Sequence, residues 1–381
     1  MHCAAESIGA ADCAMLARAL ALAGQALYIT SPNPRVGCIL TDPQGQVLGQ
    51  GHTQPAGQSH AEIMALRDAQ SQGRSLRGAT AYVTLEPCAH HGRTGPCADA
   101  LLAAGIARVV ACSTDPNPQV AGAGFARLRA GGVTVSVLPP DHALAQQARE
   151  LNIGFFSRML RGRPWVRLKL AASLDGRTAL PNGASQWITD APARADGHAW
   201  RARACAILTG MGTVRADNPR LTVRAVATPR QPMAVLIDSR LEVDPNAALF
   251  EAPRANLVYA AVKNDAKESA LRARGVTVLH VPETGRAKVD LHAMLRDLGA
   301  RQINELHVEA GHLLSGSLLR AGVVDELLVY QAPLLLDQGA GMVALGTLTE
   351  LTQGLRLQYH AVERIGPDLR LILRPAQAAA F

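Results

Sequence analysis

The sequence predicts an α/β protein with two domains, and three observations support this prediction. Strand-like and helix-like segments alternate along most of the chain, which is typical of sheets covered by helices. The chain has 381 residues, which is long for one domain and favours at least two. The segment Arg161-Gly162-Arg163-Pro164 has the composition of a linker. We therefore expect one domain over residues 1–158 and another over residues 159–381.

The first domain is predicted to contain one sheet with helices packed on it. An alanine-rich amphipathic pattern predicts a helix over residues 11–27. Residues 36–40 and 46–51 predict a hairpin, because Asp42-Pro43-Gln44-Gly45 is a typical turn. Further strands are predicted over 79–85, 107–112 and 133–138, and further helices from residue 59, over 97–104 and over 141–158.

The second domain shows seven strand-like segments and several polar segments at their ends. The predicted strands are 165–170, 204–208, 234–238, 257–261, 277–281, 305–309 and 326–331, and residues 376–381 are expected to be a frayed tail. Residues 308–316 run from a strand end through Gly311 into a helix. A glycine at such a junction lets phosphate approach backbone N–H groups, although a simple tight turn is the more frequent explanation.

The most specific motif lies in the first domain and consists of His60-Ala61-Glu62, Pro87-Cys88 and Pro96-Cys97. This is the residue order of zinc-dependent nucleobase and nucleoside deaminases. One imidazole and two thiolates hold Zn²⁺ and leave the fourth tetrahedral position to water. Glu62 is not a ligand in this pattern; it carries protons from the water to the ring and to the departing amine. The alternative is a closed structural site or a chance spacing, but only three ligands align and a carboxylate accompanies them.

Composition limits the other functions that the chain can have. The net charge of +7 would suit a nucleic-acid partner, but aromatic residues make up only 3% of the chain, which is few for stacking on bases. A few arginines would instead suit a small phosphorylated substrate. No run of about 18 apolar residues predicts a membrane span, and the first residues lack a secretion-signal pattern. Seven cysteines without disulfide-like spacing predict a cytoplasmic protein.

The segment between the two predicted cysteine ligands indicates which family of zinc-dependent deaminases the first domain resembles. Eight residues separate Cys88 from Cys97, where the common deaminase spacing has two. The insert contains His90 and His91, which are spare ligands or, as we favour, shape a substrate pocket. Together with residues 31–38 and 115–122, it resembles the pyrimidine deaminase of bacterial riboflavin biosynthesis. The polar segments 171–177, 185–189, 217–224 and 308–316 of the second domain resemble the reductase of the same pathway.

This resemblance covers residues 12 to 374 and implies a bifunctional enzyme. It implies an N-terminal cytidine-deaminase-like three-layer α/β/α domain and a C-terminal dihydrofolate-reductase-like α/β domain. It also implies zinc-dependent hydrolytic deamination of 2,5-diamino-6-(5-phosphoribosylamino)pyrimidin-4(3H)-one, followed by NADPH-dependent reduction of the ribosyl side chain to ribityl. The implied cofactors are Zn²⁺ and NADPH. The implied partner is a small phosphorylated pyrimidine, and neither nucleic acid nor a membrane is expected as a partner. A homo-oligomer is also expected.

The resemblance also assigns site residues. The family's zinc ligands fall on His60, Cys88 and Cys97, and its proton carrier falls on Glu62. Its substrate contacts fall on Ser185, Arg201, Leu221, Arg224 and Glu309. Its NADPH contacts fall on Ala171, Trp187, Thr213, Asp217, Ser239, Gly311, His312, Leu313, Leu314, Ser315, Gly316 and Ser317. An arginine side chain can form charged hydrogen bonds to a 5′-phosphate. Two alternatives stay open, namely that Arg201 is only a surface arginine and that Trp187 is a core residue.

Two other functions stay open from the sequence alone. The first is a tRNA deaminase with a non-catalytic C-terminal binding domain, which the basic charge favours and the long insert opposes. The second is an inactive zinc-binding regulator, which Glu62 opposes because a structural site does not need it. Lys169 and Asp175 are candidates for polarising the ribose end of a substrate, with structural ion pairs as the alternative.

Overall fold

The computed structural model describes residues 8–89, 95–118 and 120–376. The chain divides into two compact units between Arg161 and Gly162, inside the predicted linker. His90 and His91, whose roles were left open above, lie outside the described residues, as does the predicted tail beyond residue 376. No helix in the described ranges has both the length and the apolar character needed to cross a membrane.

The first unit is a three-layer α/β/α domain, as predicted. Its elements are α1 (Ala10–Gln25), β1 (Gly37–Thr41), β2 (Val47–His52), α2 (Ala61–Ser71), β3 (Thr80–Val83), α3 (Cys97–Ala103), β4 (Arg108–Ala111), α4 (Ala123–Ala130), β5 (Thr134–Val137), α5 (Ala143–Leu151) and α6 (Ile153–Arg161). The sheet has the order β2-β1-β3-β4-β5, with β1 antiparallel to both neighbours and β3, β4 and β5 parallel. Residues of α1 and α5 pack on one face, and residues of α2, α3, α4 and α6 pack on the other.

Helix α2 lies unusually close to the sheet. A Cβ added at Gly49 would lie 2.3 Å from the Ala65 carbonyl oxygen, and one added at Gly51 would lie 2.5 Å from the Met64 Cβ. These two glycines of β2 therefore allow the backbones of strand and helix to touch. The close contact holds the helix whose first turn carries the H-x-E motif.

The single helix predicted over residues 141–158 is wrong, because α5 ends at Leu151 and α6 begins at Ile153. The break falls at Asn152, whose side chain accepts a hydrogen bond from the Arg35 backbone N–H at 2.7 Å and donates one to the Arg35 carbonyl at 2.9 Å. The Asn152 amide also donates to the Ala148 carbonyl of the preceding turn at 3.3 Å, and such a side-chain bond competes with helix continuation. The sequence pattern does not reveal such a contact.

The second unit is built on a nine-stranded sheet. Its elements are β6 (Trp165–Ser173), β7 (Arg177–Ala179), α7 (Ala191–Arg203), β8 (Ala206–Gly210), α8 (Met211–Asp217), β9 (Met233–Ile237), the 3₁₀ turn Ala248–Phe250, β10 (Asn256–Ala260), α9 (Asp265–Ala273), β11 (Val276–His280), α10 (Leu291–Ala300), β12 (Glu305–Val308), α11 (His312–Arg320), β13 (Glu326–Ala332), β14 (Ala340–Gly341), the 3₁₀ turn Leu351–Gln353, β15 (Leu357–Ile365) and β16 (Asp368–Pro375). The order is β11-β10-β9-β8-β12-β6-β13-β16-β15. Strands β11 to β13 in this order are parallel, and β16 and β15 are antiparallel.

All seven strands predicted for this unit are present, but the hairpin of β15 and β16 was not predicted. Most residues of β15 are exposed, including Tyr359 and Val362. A strand at the edge of a sheet with little burial lacks the strong apolar pattern by which strands are recognised.

Candidate functional site

Three candidate metal ligands come together in the first unit. His60 is the residue that precedes α2, Cys97 is the first residue of α3, and Cys88 lies in the loop after β3. His60 Nδ1 lies 3.3 Å from Cys97 Sγ and 3.7 Å from Cys88 Sγ. All three ligand atoms lie within 4.8 Å of one another. The structure therefore brings together the three residues that the motif predicts.

These separations fit a tetrahedral zinc ion. Bonds of about 2.3 Å to sulfur and about 2.0 Å to nitrogen place neighbouring ligand atoms roughly 3.5 Å apart. Within the described residues the cluster comprises three protein ligands. Catalytic zinc sites also have three protein ligands, with water at the fourth tetrahedral position.

The two thiols share their protons unequally. The side-chain hydrogen bond from Cys97 lowers the pKa of Cys88 to about 4, and His60 contributes in the same direction. The backbone N–H of Cys97 also donates to Cys88 Sγ at 3.4 Å. The same interaction with Cys88 raises the pKa of Cys97. A divalent cation would displace the proton that Cys97 keeps, because thiolates and not thiols bind metal.

Glu62 lies in the first turn of α2, two residues after the histidine ligand, and is only 3% exposed. Burial raises the pKa of Glu62 to about 7, and the negative charge on Cys88 adds to this shift. A carboxyl group whose pKa lies near neutral pH can both accept and release a proton. This environment suits the proton-carrying role that the motif assigns to Glu62.

In the second unit, the carboxyl ends of β6, β8, β9 and β12 border one cavity of about 1550 Å³. In the sheet, β8 has β9, the next strand along the chain, as one neighbour and β12 as the other. The cavity therefore lies at a point where strand order reverses, which is where parallel α/β sheets bind ligands. Its volume exceeds the range of about 300–1,000 Å³ that is typical for one small molecule, so a substrate and a cofactor fit together.

Most of the predicted contacts line this cavity. It includes all five predicted substrate residues, namely Ser185, Arg201, Leu221, Arg224 and Glu309. It also includes the predicted cofactor residues Ala171, Trp187, Thr213, Asp217, Ser239, Gly311, His312, Leu313, Leu314 and Ser317. Trp187 is 68% exposed, so it is not a core residue.

Ser315 and Gly316 do not line the cavity. Ser315 is fully buried and donates its hydroxyl to the Ala310 carbonyl at 3.3 Å. A Cβ added at Gly316 would lie 2.0 Å from the Ala344 carbonyl oxygen, so this residue packs against a neighbouring segment. The Gly311 N–H donates to the Thr213 hydroxyl at 3.1 Å. The turn is therefore stabilised by an internal hydrogen bond, and the Gly311 N–H already has Thr213 as its acceptor.

Arg201 and Glu309 form a two-point ion pair, through Nε with Oε1 and through Nη2 with Oε2 at 2.8 Å. Arg201 also donates to the Thr222 carbonyl at 3.1 Å. Burial alone would raise the pKa of Glu309, but Arg201 holds it well below its usual range. Arg201 is thus a paired arginine and not a surface one. Arg224 is exposed, and its side chain donates a hydrogen bond to the neutral Thr222 hydroxyl at 3.0 Å. It forms no ion pair within the described residues, so it is the freer of the two arginines for a phosphate.

The loop that carries Leu221 and Arg224 depends on a residue that sequence analysis missed. Leu221 adopts a left-handed backbone conformation with φ of 48°, which is strained for a leucine. Arg254 donates to the carbonyls of Arg220, Leu221 at 2.8 Å, Leu249 at 3.2 Å and Pro232 at 3.3 Å. Arg254 falls in the region 225–300, where the resemblance supplied only Ser239, and no motif marks it.

The structure separates Lys169 from Asp175. Asp175 accepts backbone hydrogen bonds from Leu336 at 3.2 Å and Asp337 at 2.8 Å, and it does not line the cavity. It therefore stabilises a loop. Lys169 does line the cavity, and burial lowers its pKa. Within the described residues its ammonium has no hydrogen-bond acceptor, and its nearest ring, that of Tyr330, has its centroid 6.0 Å away.

A group of basic residues near Ser239 was also missed. The Ser239 hydroxyl accepts from the Val289 N–H at 3.3 Å, which joins the loop after β9 to residues 282–289. Arg240 and Lys288 line the same cavity beside this junction. The nearest acidic atom to Arg240 belongs to Glu242 and is 3.9 Å away. A short basic stretch near a predicted cofactor contact is the signal that could have identified them.

The two units match different known families. Residues 10–113 match the family described as the cytidine and deoxycytidylate deaminase zinc-binding region. Residues 164–371 match the family described as the RibD C-terminal domain. The metal ligands and Glu62 lie in the first match, and the cavity lies in the second.

Curated relatives and solved structures extend over nearly the whole chain. The chain is 45% identical to a riboflavin biosynthesis protein RibD of Escherichia coli, over 94% of this chain and 98% of the relative. A RibD of Aquifex aeolicus is 38% identical over 93% and 96%. The structure of Acinetobacter baumannii RibD has a TM-score of 0.87 at 40% identity, covering 96% and 99%. A Thermotoga maritima diaminohydroxyphosphoribosylaminopyrimidine deaminase/5-amino-6-(5-phosphoribosylamino)uracil reductase has a TM-score of 0.84 at 30% identity, with the same coverage.

Proposed function

The chain belongs to the RibD family of bifunctional riboflavin biosynthesis enzymes, and we propose that its two units act in turn on one phosphorylated pyrimidine. The first unit would deaminate 2,5-diamino-6-(5-phosphoribosylamino)pyrimidin-4(3H)-one. The second would reduce the ribosyl side chain to give 5-amino-6-(5-phosphoribitylamino)uracil. The near full-length match supports this function over the tRNA deaminase alternative. The observation that carries the proposal is the cluster of His60, Cys88 and Cys97 around the buried Glu62.

In the deaminase unit, we assign His60, Cys88 and Cys97 as zinc ligands and Glu62 as the catalytic proton carrier. Zinc, when bound, supplies Lewis acidity that activates water near neutral pH. Glu62 takes the proton that this activation releases. It gives this proton to the ring nitrogen when the oxygen of water adds to the amine-bearing carbon. It then takes the second proton from the new hydroxyl group and gives it to the amine, so that the C–N bond breaks, ammonia leaves and a carbonyl remains. Its burial favours this role, because a proton carrier works best with a pKa near the operating pH.

In the reductase unit, Lys169 is proposed to polarise the ribose end of the substrate. A nicotinamide cofactor, when bound, supplies hydride to C1′ of the ribosylamino group in its open or imine form. Lys169 is a half-buried cation that lines the cavity and has no hydrogen-bond acceptor in the described structure, so it is available to the substrate. Arg224 and Ser185 are proposed to bind the 5′-phosphate, while Glu309 stays ionised beside Arg201 and can accept hydrogen bonds from ribose hydroxyls.

NADPH is proposed as the cofactor in preference to NADH. The two differ by one 2′-phosphate, which proteins recognise with arginine and other cations. Arg240 and Lys288 border the cavity beside Ser239, a predicted cofactor contact. Neither has a close ion-pair partner among the described residues, since the Glu242 contact of Arg240 is 3.9 Å long. Cations at the edge of the cavity attract a dianionic group.

We also keep a homo-oligomer and a cytoplasmic location as parts of this proposal. The exposed apolar side chains of β15 and β16, among them Tyr359, Val362 and Leu369, form a surface suited to a second copy. The six described cysteines are free thiols, which is the state that a reducing compartment maintains.

The test is a coupled assay on the full chain after its zinc content has been measured. The diaminopyrimidinone ribosyl phosphate is supplied, ammonia is followed with and without NADPH, and NADPH absorbance is followed in parallel. We expect ammonia release in both cases and NADPH consumption only after it. Ammonia without NADPH consumption would refute the reductase assignment. No ammonia from zinc-loaded protein would refute the deaminase assignment and would direct the search to tRNA and other amino-bearing bases.

A further inference from the structure

Glu86 lies two residues before the ligand Cys88 but is not part of the metal cluster. Its side chain is 3% exposed, and within the described residues it makes no ion pair. Its carboxylate instead accepts four backbone hydrogen bonds: Oε2 from Asp115 at 3.1 Å and Gly122 at 2.9 Å, and Oε1 from Gly124 at 2.8 Å and Phe125 at 3.2 Å. A carboxylate offers about four acceptor positions, so all of them are used.

These bonds join two segments that are distant in sequence. One is the turn Glu86-Pro87-Cys88 after β3, and the other runs from the end of β4 into the first turn of α4. The two are in direct contact, because a Cβ added at Gly124 would lie 1.8 Å from the Pro87 carbonyl oxygen. The turn before the metal ligand therefore has no room to move relative to α4.

The backbone of Cys88 is held from further directions. The Glu86 N–H donates to the Ser113 carbonyl at 3.0 Å, and the Ala98 N–H donates to the Cys88 carbonyl at 3.1 Å. The second bond belongs to α3, which begins with the ligand Cys97. The position of the Cys88 thiolate relative to Cys97 and His60 thus depends on α3 on one side and on the Glu86 bonds on the other.

We propose that Glu86 is a positioning residue that holds Cys88 in the geometry the metal requires. The proposal rests on the proposed metal chemistry of this site. Groups that orient metal ligands without contacting the ion change metal affinity or activity by about 10- to 100-fold when they are replaced. Glu86 acts on a ligand through its backbone, and four charge-assisted hydrogen bonds make this connection stiff.

The test is Glu86→Gln in the full chain, loaded with Co²⁺ in place of Zn²⁺. A glutamine has one carbonyl oxygen, and its NH₂ group would face backbone N–H donors, so at least one half of the connection is lost. We expect an altered thiolate-to-cobalt absorption band, an increase of about 10-fold or more in the Co²⁺ dissociation constant and a similar fall in kcat for ammonia release. KM should change by less than about threefold, because the metal geometry and not the binding pocket is affected.

Two further variants make the result decisive. Glu86→Asp keeps the charge but shortens the side chain, and it should show the same changes to a smaller degree. It replaces the glutamine variant in the test if that variant does not fold. Asp42→Asn is the matched control, since Asp42 accepts backbone bonds from Gln44 at 3.0 Å and Gln46 at 2.8 Å in the β1–β2 turn. It should keep the wild-type spectrum and kcat.

One outcome overturns the proposal even if stability falls. If the Glu86 variants melt at a lower temperature but keep the wild-type cobalt band, metal affinity and kcat, then Glu86 stabilises the fold without positioning Cys88. A wild-type chain that binds Co²⁺ but releases no ammonia would instead refute the proposed function. The spectra and affinities of the variants would still decide the role of Glu86.

Discussion

The two sites of this chain are built in different ways. The three candidate metal ligands and Glu62 lie between residues 60 and 97, and three of these four residues lie at or in the first turn of a helix. The reductase cavity draws on residues from Lys169 to Met342, which lie on strands, on helices and on the loops between them. A compact site concentrates its chemistry in a few atoms, whereas a distributed site divides recognition among many contacts. We therefore expect single changes to abolish the first activity and to reduce the second by degrees.

Metal removal should produce the largest difference between the units. Chelation of the full chain should abolish ammonia release, because the water-activating group is lost. NADPH-dependent reduction of pre-deaminated substrate should continue at the original rate, since the described cavity contains none of the three metal ligands. Zinc content, ammonia and NADPH absorbance are measured on the same sample. Parallel loss of both activities, restored together by zinc, would show that the sites are not independent.

Glu62→Gln should have the next largest effect. The amide cannot carry a proton, so ammonia release should fall by about 10²- to 10⁴-fold. Zinc should stay bound, because Glu62 is not among the ligands. Single-turnover ammonia release and metal analysis check the prediction, with the reductase rate as an internal measure of folding. A fall of less than about threefold would remove Glu62 from the proton pathway.

Lys169→Met should be the most damaging single change in the reductase cavity. Removing a positioned cation from a water-poor site typically costs about 10²- to 10³-fold in kcat, and methionine keeps most of the side-chain volume. NADPH affinity, followed by fluorescence titration, should change little. The matched control is Asp175→Asn, which alters the other ribose candidate but not a cavity residue. Equal effects of the two changes on kcat would contradict the assignment.

Arg224→Ala should weaken substrate binding without stopping the reaction. A charge-assisted hydrogen bond contributes about 1.5–3 kcal/mol, so KM for the phosphorylated substrate should rise roughly 10- to 100-fold while kcat changes less. Arg272→Ala is the control, because Arg272 pairs with Glu268 on the surface of α9. An unchanged KM in the Arg224 variant would place the phosphate elsewhere in the cavity.

The smallest effect is expected from Lys288→Ala or Arg240→Ala. Each cation stands beside an exposed rim, so each contributes a screened interaction of about 1 kcal/mol. The ratio of NADH to NADPH dissociation constants should fall about fivefold in either variant and further in the double variant. Loss of affinity for both cofactors alike would mean that these residues do not distinguish the 2′-phosphate.

The sequence predicted the elements more fully than their connections. Strand positions were predicted well because buried parallel strands are rich in apolar residues: β9 is a continuous apolar run, and β8 begins with one. The break at Asn152 and the exposed strand β15 were missed, since the first depends on a distant backbone partner and the second lacks an apolar pattern. The resemblance placed the cavity residue Ser239, but not the cavity residue Lys288 or Arg254, which supports a loop that lines the cavity. Both missed residues lie where the resemblance carries no motif.

What the sequence by itself determined is the chemistry that depends on atom types at short spacing. His60, Cys88 and Cys97 could be predicted as candidate metal ligands because zinc accepts few kinds of side chain, and the structure brings these three residues together. Only the tertiary structure decided that Asp175 stabilises a loop, that Arg201 is paired with Glu309, and that Glu86 binds backbone amides of a distant segment. Each of these roles depends on which distant segments meet. That outcome is set by packing over the whole unit and leaves no periodic or spaced signal in the chain.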